Sequence, residues 1–336
     1  MKHSARSLKS KIRLIPIAAL LFLAAAAVGI FCGSTRVSLG NLLSALTNGP
    51  AGPGERIFLY VRLPRTLGCL LAGAALAVAG GVIQNVLANP LASPSVIGVN
   101  SGAGLAVTLC AALGIYGGWQ LSFFAFLGAF GAVMLVSLGA KKWGASRGTL
   151  ILLGVAMNSI LGAMSDTVIT LIPEVAAISR DFKMGDLSAV TYGKLIPCLV
   201  LIPGAIGLLL TMGSELDILT LGEETARGLG LNTRRMRTLF LLLSALLAGC
   251  AVSLGGLLSF VGLLVPHVVR RLGGILSRRL LPLCALLGGA FVCLCDTAAR
   301  SLFTPYEIPV GILMAFFGGP FFVTILLRGK GGGIHA

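Results

Sequence analysis

Apolar runs of about 20 residues recur along the whole of this 336-residue chain, and that recurrence limits its fold more than any other feature. A run of that length crosses the hydrocarbon of a bilayer as one helix, its backbone hydrogen bonds satisfied within the segment. Charged residues make up only 11% of the chain, against the roughly 25% of a soluble domain. The sequence therefore predicts an all-α integral membrane protein that crosses the bilayer many times. The net charge of +15 does not point to nucleic acid. The basic residues fall between the apolar runs with no aromatic-interleaved basic face, so membrane topology accounts for them.

The whole chain, 1–336, reads as a single transmembrane domain. The first helix is expected over 14–32, after Lys2, Arg6, Lys9, Lys11 and Arg13; a cleaved signal peptide is the rival, weakened by the many later spans. Further helices are expected at about 63–87, 94–113, 121–140, 149–171, 195–213, 237–257, 258–272, 280–299 and 309–328, making ten, with 258–272 the weakest. With the N-terminus inside, 18 of the 26 Lys and Arg residues lie on the inner side, which places both termini in the cytoplasm. Between the first two spans, Leu39, Leu42, Leu43 and Leu46 recur at the spacing of a short amphipathic surface helix.

The stretch from Arg62 to Val107 is the most unusual. Two arginines around Pro64 open a helix carrying Gly73, Gly80 and Gly81, which breaks at Asn89-Pro90 and again at Pro94 before a glycine-rich half from Gly98 to Gly104. Such a segment suits backbone that lines a path through the membrane, or else a kinked helical hairpin. LAGAALAVAGG (71–81) and LAGCAVSLGG (247–256) share their spacing of small residues and run in opposite directions across the bilayer, the arrangement of an inverted repeat.

Ser214 to Arg237 is the longest polar segment on the inner side. Thr220 to Gly228 is expected to form a short helix with Glu223 and Glu224 near its start and Arg227 near its end, each favourable to the dipole. This charged knob fits either docking of a soluble partner or an ordinary solvated loop. Asp166, with Asn158, Ser159, Ser165 and Thr170 on the same helix, faces a pathway or bonds a neighbouring helix. Asp296 has Arg300 at i+4, the spacing of a pair on a helix surface. The eight cysteines lie in or beside apolar runs without metal-ligand spacing and read as packing residues. His267, near the inner surface, reads as structural or interfacial. No phosphate-cradling loop, nucleophile–base pair or His-rich cluster appears, so no catalytic residue, metal site or cofactor of the chain's own is expected.

RLPR, LAGAALAVAGG with Gln84 and NPLASP, LGEETARGLG, FVGLLVPHVVR, an Asp-x-x-x-Arg before EIPVGI, and GGPFF occur in that order. In this the chain resembles the FecCD family, the permease subunits of ABC importers for ferric siderophores, haem and vitamin B12. The resemblance implies an inverted-repeat ABC importer permease fold of ten transmembrane helices in a bacterial cell membrane. It also implies a second permease copy, identical or paralogous, with the path along their interface. Two cytoplasmic ATPase subunits hydrolyse the ATP, and an extracytoplasmic substrate-binding protein delivers the cargo. Carried onto this sequence, Arg62, Arg65 and Arg300 become the binding-protein seat on the outer face. Asn89, Pro90 and Leu91 become the inner gate; Asn158, Ser159 and Asp166 are the expected path lining by their place on one polar helix rather than by the resemblance. Gly222, Glu223, Ala226, Arg227, Leu229 and Gly230 couple to the ATPase. An iron(III)-siderophore is the expected cargo, with haem or cobalamin as alternatives; an ion-driven secondary transporter is a more distant reading. The chain departs from the family pattern at Phe182-Lys183-Met184-Gly185 and in carrying Asp166.

Overall fold

The computed structural model describes residues 14–33, 40, 52–142, 146–273, 275–303 and 306–329, with side chains beyond 324 left out. Every regular element among them is helical: α1 (Leu14–Phe31), α2 (Pro53–Leu87), α3 (Val99–Ala112), α4 (Gly118–Lys142), α5 (Arg147–Leu171) and α6 (Ala176–Met184) come first. Next are α7 (Tyr192–Thr211), α8 (Gly213–Thr220), α9 (Glu223–Gly228), α10 (Thr233–Gly255), α11 (Val261–Arg271), α12 (Ser277–Ser301) and α13 (Val310–Gly329). Seven of these are long and apolar enough to cross a bilayer, namely α1, α2, α4, α5, α7, α10 and α12. The shorter α3, α11 and α13 complete the expected set of about ten. The expected amphipathic helix at Leu39–Leu46 lies outside the described residues, apart from Gly40.

Helix α2 is the axle of the bundle. It is buried almost all round, as a helix apolar on every face must be, and it packs against α1, α7, α10, α11 and α12. Its alanines and glycines make this possible, because helices without a driving force between them in lipid gain from close backbone approach. Gly73 faces the Gly288-Gly289 backbone of α12, and Gly80 faces Gly262 of α11 so closely that a methyl group at either position would collide with main chain. The two helices that carry the repeat segments, α2 and α10, pack against each other in the core.

Where α2 begins, one turn is widened. Phe58–Arg62 forms a π turn in which Leu63 N–H donates to Phe58 O. Pro64 explains it: a proline ring has no N–H to donate and crowds the carbonyl four residues back, so the helix takes the looser turn.

At the other end the chain re-enters. The helix expected over 94–113 is in fact a 3-10 turn, Pro94–Ile97, a left-handed Gly98 and then α3. The polar segment 214–237 holds two short helices, α8 and α9, rather than one.

These packing distances predict a split between glycines. Gly73→Ala and Gly80→Ala each destabilise the protein by about 1–3 kcal/mol, whereas Gly131→Ala and Gly204→Ala, which meet nothing within 4 Å, do not. Thermal unfolding of the detergent-solubilised protein separates the two pairs.

Candidate functional site

Three motifs that are far apart in the chain meet at the end of α2. The helix closes in a Schellman motif, with Asn89 N–H donating to Gln84 O (3.0 Å) and Ala88 N–H to Asn85 O (3.2 Å). Its left-handed residue is Ala88 (φ 46°) where glycine is the usual occupant, at a cost of about 1–2 kcal/mol. Asn89 Oδ1 then accepts from Leu91 N–H at 2.9 Å, fixing the Asn89-Pro90-Leu91 turn. Pro90 and Leu91 are exposed, and with Phe260, Leu263, Leu264, His267, Gly318, Phe321 and Phe322 they line a narrow apolar crevice. A cavity of about 240 Å³ lies beside it, lined by Ser93, Ser95, Asn100 and Ser259 among the apolar Leu76, Pro94, Leu258, Phe260 and Leu263.

Phe260 stands between the two. It is in the left-handed region (φ 66°), and among the described residues only it and Ala88 hold positive φ without being glycine. Its ring lies against Gly318, where any side chain would strike it. Backbone strain at Ala88, which leads into the turn, and at Phe260, which lines the crevice beside it, marks a place where the surroundings over-determine the conformation. The Nε2 atom of His267 is buried without a hydrogen-bond partner.

The three arginines gather at the opposite end of α2, Arg62 and Arg65 on α2 itself and Arg300 on α12, and the structure buries all three. Arg65 forms a fork on the Asp296 carboxylate, Nε to Oδ2 at 3.0 Å and Nη2 to Oδ1 at 2.9 Å, while Nη1 reaches Glu307 at 2.7 Å. Arg62 donates to the Ile30 and Phe31 carbonyls at 2.9 and 3.0 Å, and Arg300 to Gly29 O. These are carbonyls of the last turn of α1, which have no partner within the helix and carry the negative end of its dipole. Asp296 is therefore not half of a surface pair with Arg300. It is buried, its principal partner is Arg65 from α2, and Arg300 lies 3.6 Å away on the far side. Of this cluster only Glu307 has a substantially exposed side chain, at 39%.

Along α5, Asn158 is held inward, Nδ2 donating to Ser95 O at 2.9 Å and Oδ1 accepting from Ser101 at 2.6 Å. It braces the re-entrant 3-10 turn. Ser165 is buried beside Thr108 at 3.0 Å. Ser159, Asp166, Thr167 and Thr170 instead form an exposed stripe on this chain, the three hydroxyls bonded to carbonyls of their own helix. Asn158 thus parts company with Ser159 and Asp166, with which the sequence grouped it.

The knob is a six-residue helix, α9, between two left-handed glycines, Gly222 (φ 109°) and Gly230 (φ 82°). It ends in a Schellman motif, Leu231 N–H to Ala226 O (3.0 Å) and Gly230 N–H to Arg227 O (2.9 Å). Ala226 is buried beneath it, and Glu223 is shared between Arg227 and the buried Arg237 of α10. Leu221, Leu229, Glu224 and Arg227 project outward, a mixed apolar and charged surface with open space around both glycines. Sequence reasoning missed Phe260, Gly318 and Glu307, each of which stands inside or beside a motif it had quoted.

The model of the FecCD transport family matches residues 19–328. The iron(III)-citrate import system permease protein YfmD of Bacillus subtilis is 34% identical over 331 residues, 98% of this chain and 99% of its own. The hemin transport permease HmuU of Yersinia pestis is 36% identical over 305 residues, covering 88% of this chain and 90% of its own. The vitamin B12 import permease BtuC of Yersinia pseudotuberculosis is 35% identical over 286 residues, 83% and 84% of the two chains. A solved inward-facing structure of a metal-chelate type ABC transporter superposes with a TM-score of 0.83 at 31% identity, covering 94% of this chain and 99% of that one.

The buried cluster makes a sharp forecast. Asp296→Ala leaves Arg300 without its carboxylate and Arg65 with only the half-exposed Glu307, and costs about 3–5 kcal/mol, while Glu307→Gln, at the exposed edge, leaves the melting temperature unchanged. Thermal shift of the two purified variants reads the difference.

Proposed function

The chain belongs to the FecCD transport family, and from that premise we propose that it is the membrane-spanning permease of an ABC importer that brings an iron(III)-siderophore complex into the cytoplasm. The family is one of transport permeases, multi-pass membrane proteins that are not themselves catalytic. The observation that carries the reading is the pairing of a strained turn at the end of α2 with an outward-projecting knob on the same side of the bundle. Lys141, Arg147, Arg234, Arg270 and Arg278 also gather there, which is the expected cytoplasmic side with both termini. We assign ATP hydrolysis to a pair of partner subunits that seat the knob through Gly222, Glu223, Ala226, Arg227, Leu229 and Gly230. We assign Asn89, Pro90 and Leu91 to the inner gate.

A second copy of the chain or a paralogue completes the path. A stripe carrying Asp166 and three hydroxyls is costly against hydrocarbon and needs water or protein to cover it. The cargo reading rests on the iron(III)-citrate and hemin permeases among the relatives, and the vitamin B12 permease keeps cobalamin as the second reading.

On the outer face the seat for the binding protein takes a form the sequence did not suggest. Arg65 already holds Glu307, so an incoming carboxylate replaces a partner rather than meeting a free cation. Reversing Arg65 would strand Asp296, and Glu307 is the better handle.

Three experiments test these assignments. In liposomes holding the permease pair, its ATPase and its binding protein, uptake of iron(III)-citrate, hemin and cyanocobalamin is compared with and without ATP. Uptake by the permease alone, driven by an ion gradient, would overturn the reading. In the same complex Gly230→Val, forced into a left-handed backbone, is expected to lose ATPase subunits on co-purification while the permease remains folded. For the outer face, Glu307→Gln is expected to speed binding-protein association several-fold at low salt; unchanged association kinetics would sink the exchange of partners.

A further inference from the structure

The knob and the gate turn are joined by a line of buried and half-buried polar contacts that runs through four helices. It begins at Asp217 on α8, the helix that leads directly into the knob. Its carboxylate accepts from the Ser277 backbone N–H at 2.9 Å and from the Ser277 hydroxyl at 2.6 Å. Ser277 opens α12, whose N-cap residue is Leu276 and supplies no side-chain cap, so Asp217 caps this helix from a neighbouring element. Asn85 Nδ2 donates to the same Ser277 hydroxyl at 3.3 Å, and Asn85 Oδ1 accepts from Arg270 Nη2 of α11 at 2.9 Å. Arg270 also bonds Gln84, whose Nε2 reaches Gly262 O at 3.2 Å. Gln84 and Asn85 supply the two carbonyls that close α2 ahead of Ala88, so the line ends on the strained turn itself.

We propose that Asp217 is a positioning residue for transport, passing displacement of the knob through Ser277 and Asn85 to the gate turn. Gln84, Asn85 and Ser277 are buried, where each polar group left without its partner carries the full desolvation penalty. The line therefore moves as a unit or breaks at a cost. The element it biases is the turn at Ala88, held in a left-handed conformation that alanine does not favour. A second tie, Arg147 Nη2 to Leu219 O at 2.7 Å, links α8 to the start of α5, so motion of α8 reaches the polar stripe as well. Coupling of this kind needs a contiguous set of contacts and a two-state element at its end; the polar line supplies the contacts, and the strained turn at Ala88 is taken as that element.

The inference rests on the knob as ATPase seat and on the turn as gate, and the test separates the three. The permease carries Leu91→Cys in the assembled complex, and disulfide crosslinking between the two copies is followed with and without ATP. Ser277→Ala removes only the hydroxyl and keeps the backbone N–H for Asp217; Asp217→Asn removes the charge. Both are expected to keep bound ATPase and ATP hydrolysis while the ATP-dependent change in crosslinking at position 91 is lost. Their double variant is expected to be no worse than the weaker single, because both break one line. An ATP response equal to the parent in Ser277→Ala overturns the relay and leaves seat and gate intact. A parent that shows no ATP response overturns gate and relay together. Loss of bound ATPase in Ser277→Ala also overturns the relay, since Ser277 then acts on the seat. Should Asp217→Asn fail to assemble, Ser277→Ala alone decides.

Discussion

The rest of the molecule depends on how closely α2 is approached by its neighbours. In lipid there is no hydrophobic drive to bring helices together, so contact between backbones must supply the attraction. Gly73 against Gly288 and Gly80 against Gly262 bring α12 and α11 onto α2 without intervening side chains. That closeness has a second effect. Side chains as short as asparagine, serine and aspartate can then reach across helices, as Asn85 reaches Ser277. The polar lines at either end exist because the glycines in the middle let the helices touch.

The two ends of α2 solve the problem of charge in a low dielectric differently. At the arginine end, one buried carboxylate is shared by Arg65 and Arg300, and carbonyls of the last turn of α1 accept from Arg62 and Arg300. Every charge has a fixed partner, and the result is a brace. At the turn end, Arg270 meets neutral oxygens of Gln84, Asn85 and Gly81 rather than a carboxylate. Bonds from a cation to neutral acceptors hold less firmly than a fork on a carboxylate. The stiff end and the yielding end thus follow from which acceptor each arginine was given.

Much of this was legible in the sequence, and the exceptions share a cause. Segment lengths, the break at Asn89-Pro90 and the dipole-compatible knob at Glu223–Arg227 are local properties, readable from spacing. Asp296 was read as paired with Arg300 because i+4 is the only partner that a helix pattern displays; Arg65 lies 231 residues away in sequence. Asn158 was grouped with Ser159 and Asp166 because all three are polar on one helix, yet only contact with the re-entrant turn shows which way it faces. Phe260 gave no signal, since sequence flags left-handed backbone through glycine and here the residue is aromatic. What spacing could not supply was the identity of the neighbour.

One asymmetry remains to be explained physically. Inward-facing positions of α5 are closed by hydrogen bonds to α3 and the 3-10 turn, while its stripe of Ser159, Asp166, Thr167 and Thr170 faces outward. The hydroxyls on that stripe are satisfied by their own helix, which leaves the Asp166 carboxylate as the group that most requires a polar surface opposite it. Among the described residues, Leu91 and the aromatic Phe316 and Phe317 of α13 are likewise exposed. A single copy therefore leaves exposed a polar stripe at mid-helix and apolar residues near the turn. On the proposed reading, a second copy brings the matching wall, so that the carboxylates face water rather than lipid and the two apolar turns meet where the path must close. The demand for a partner then comes from the solvation of one aspartate as much as from the shape of the bundle.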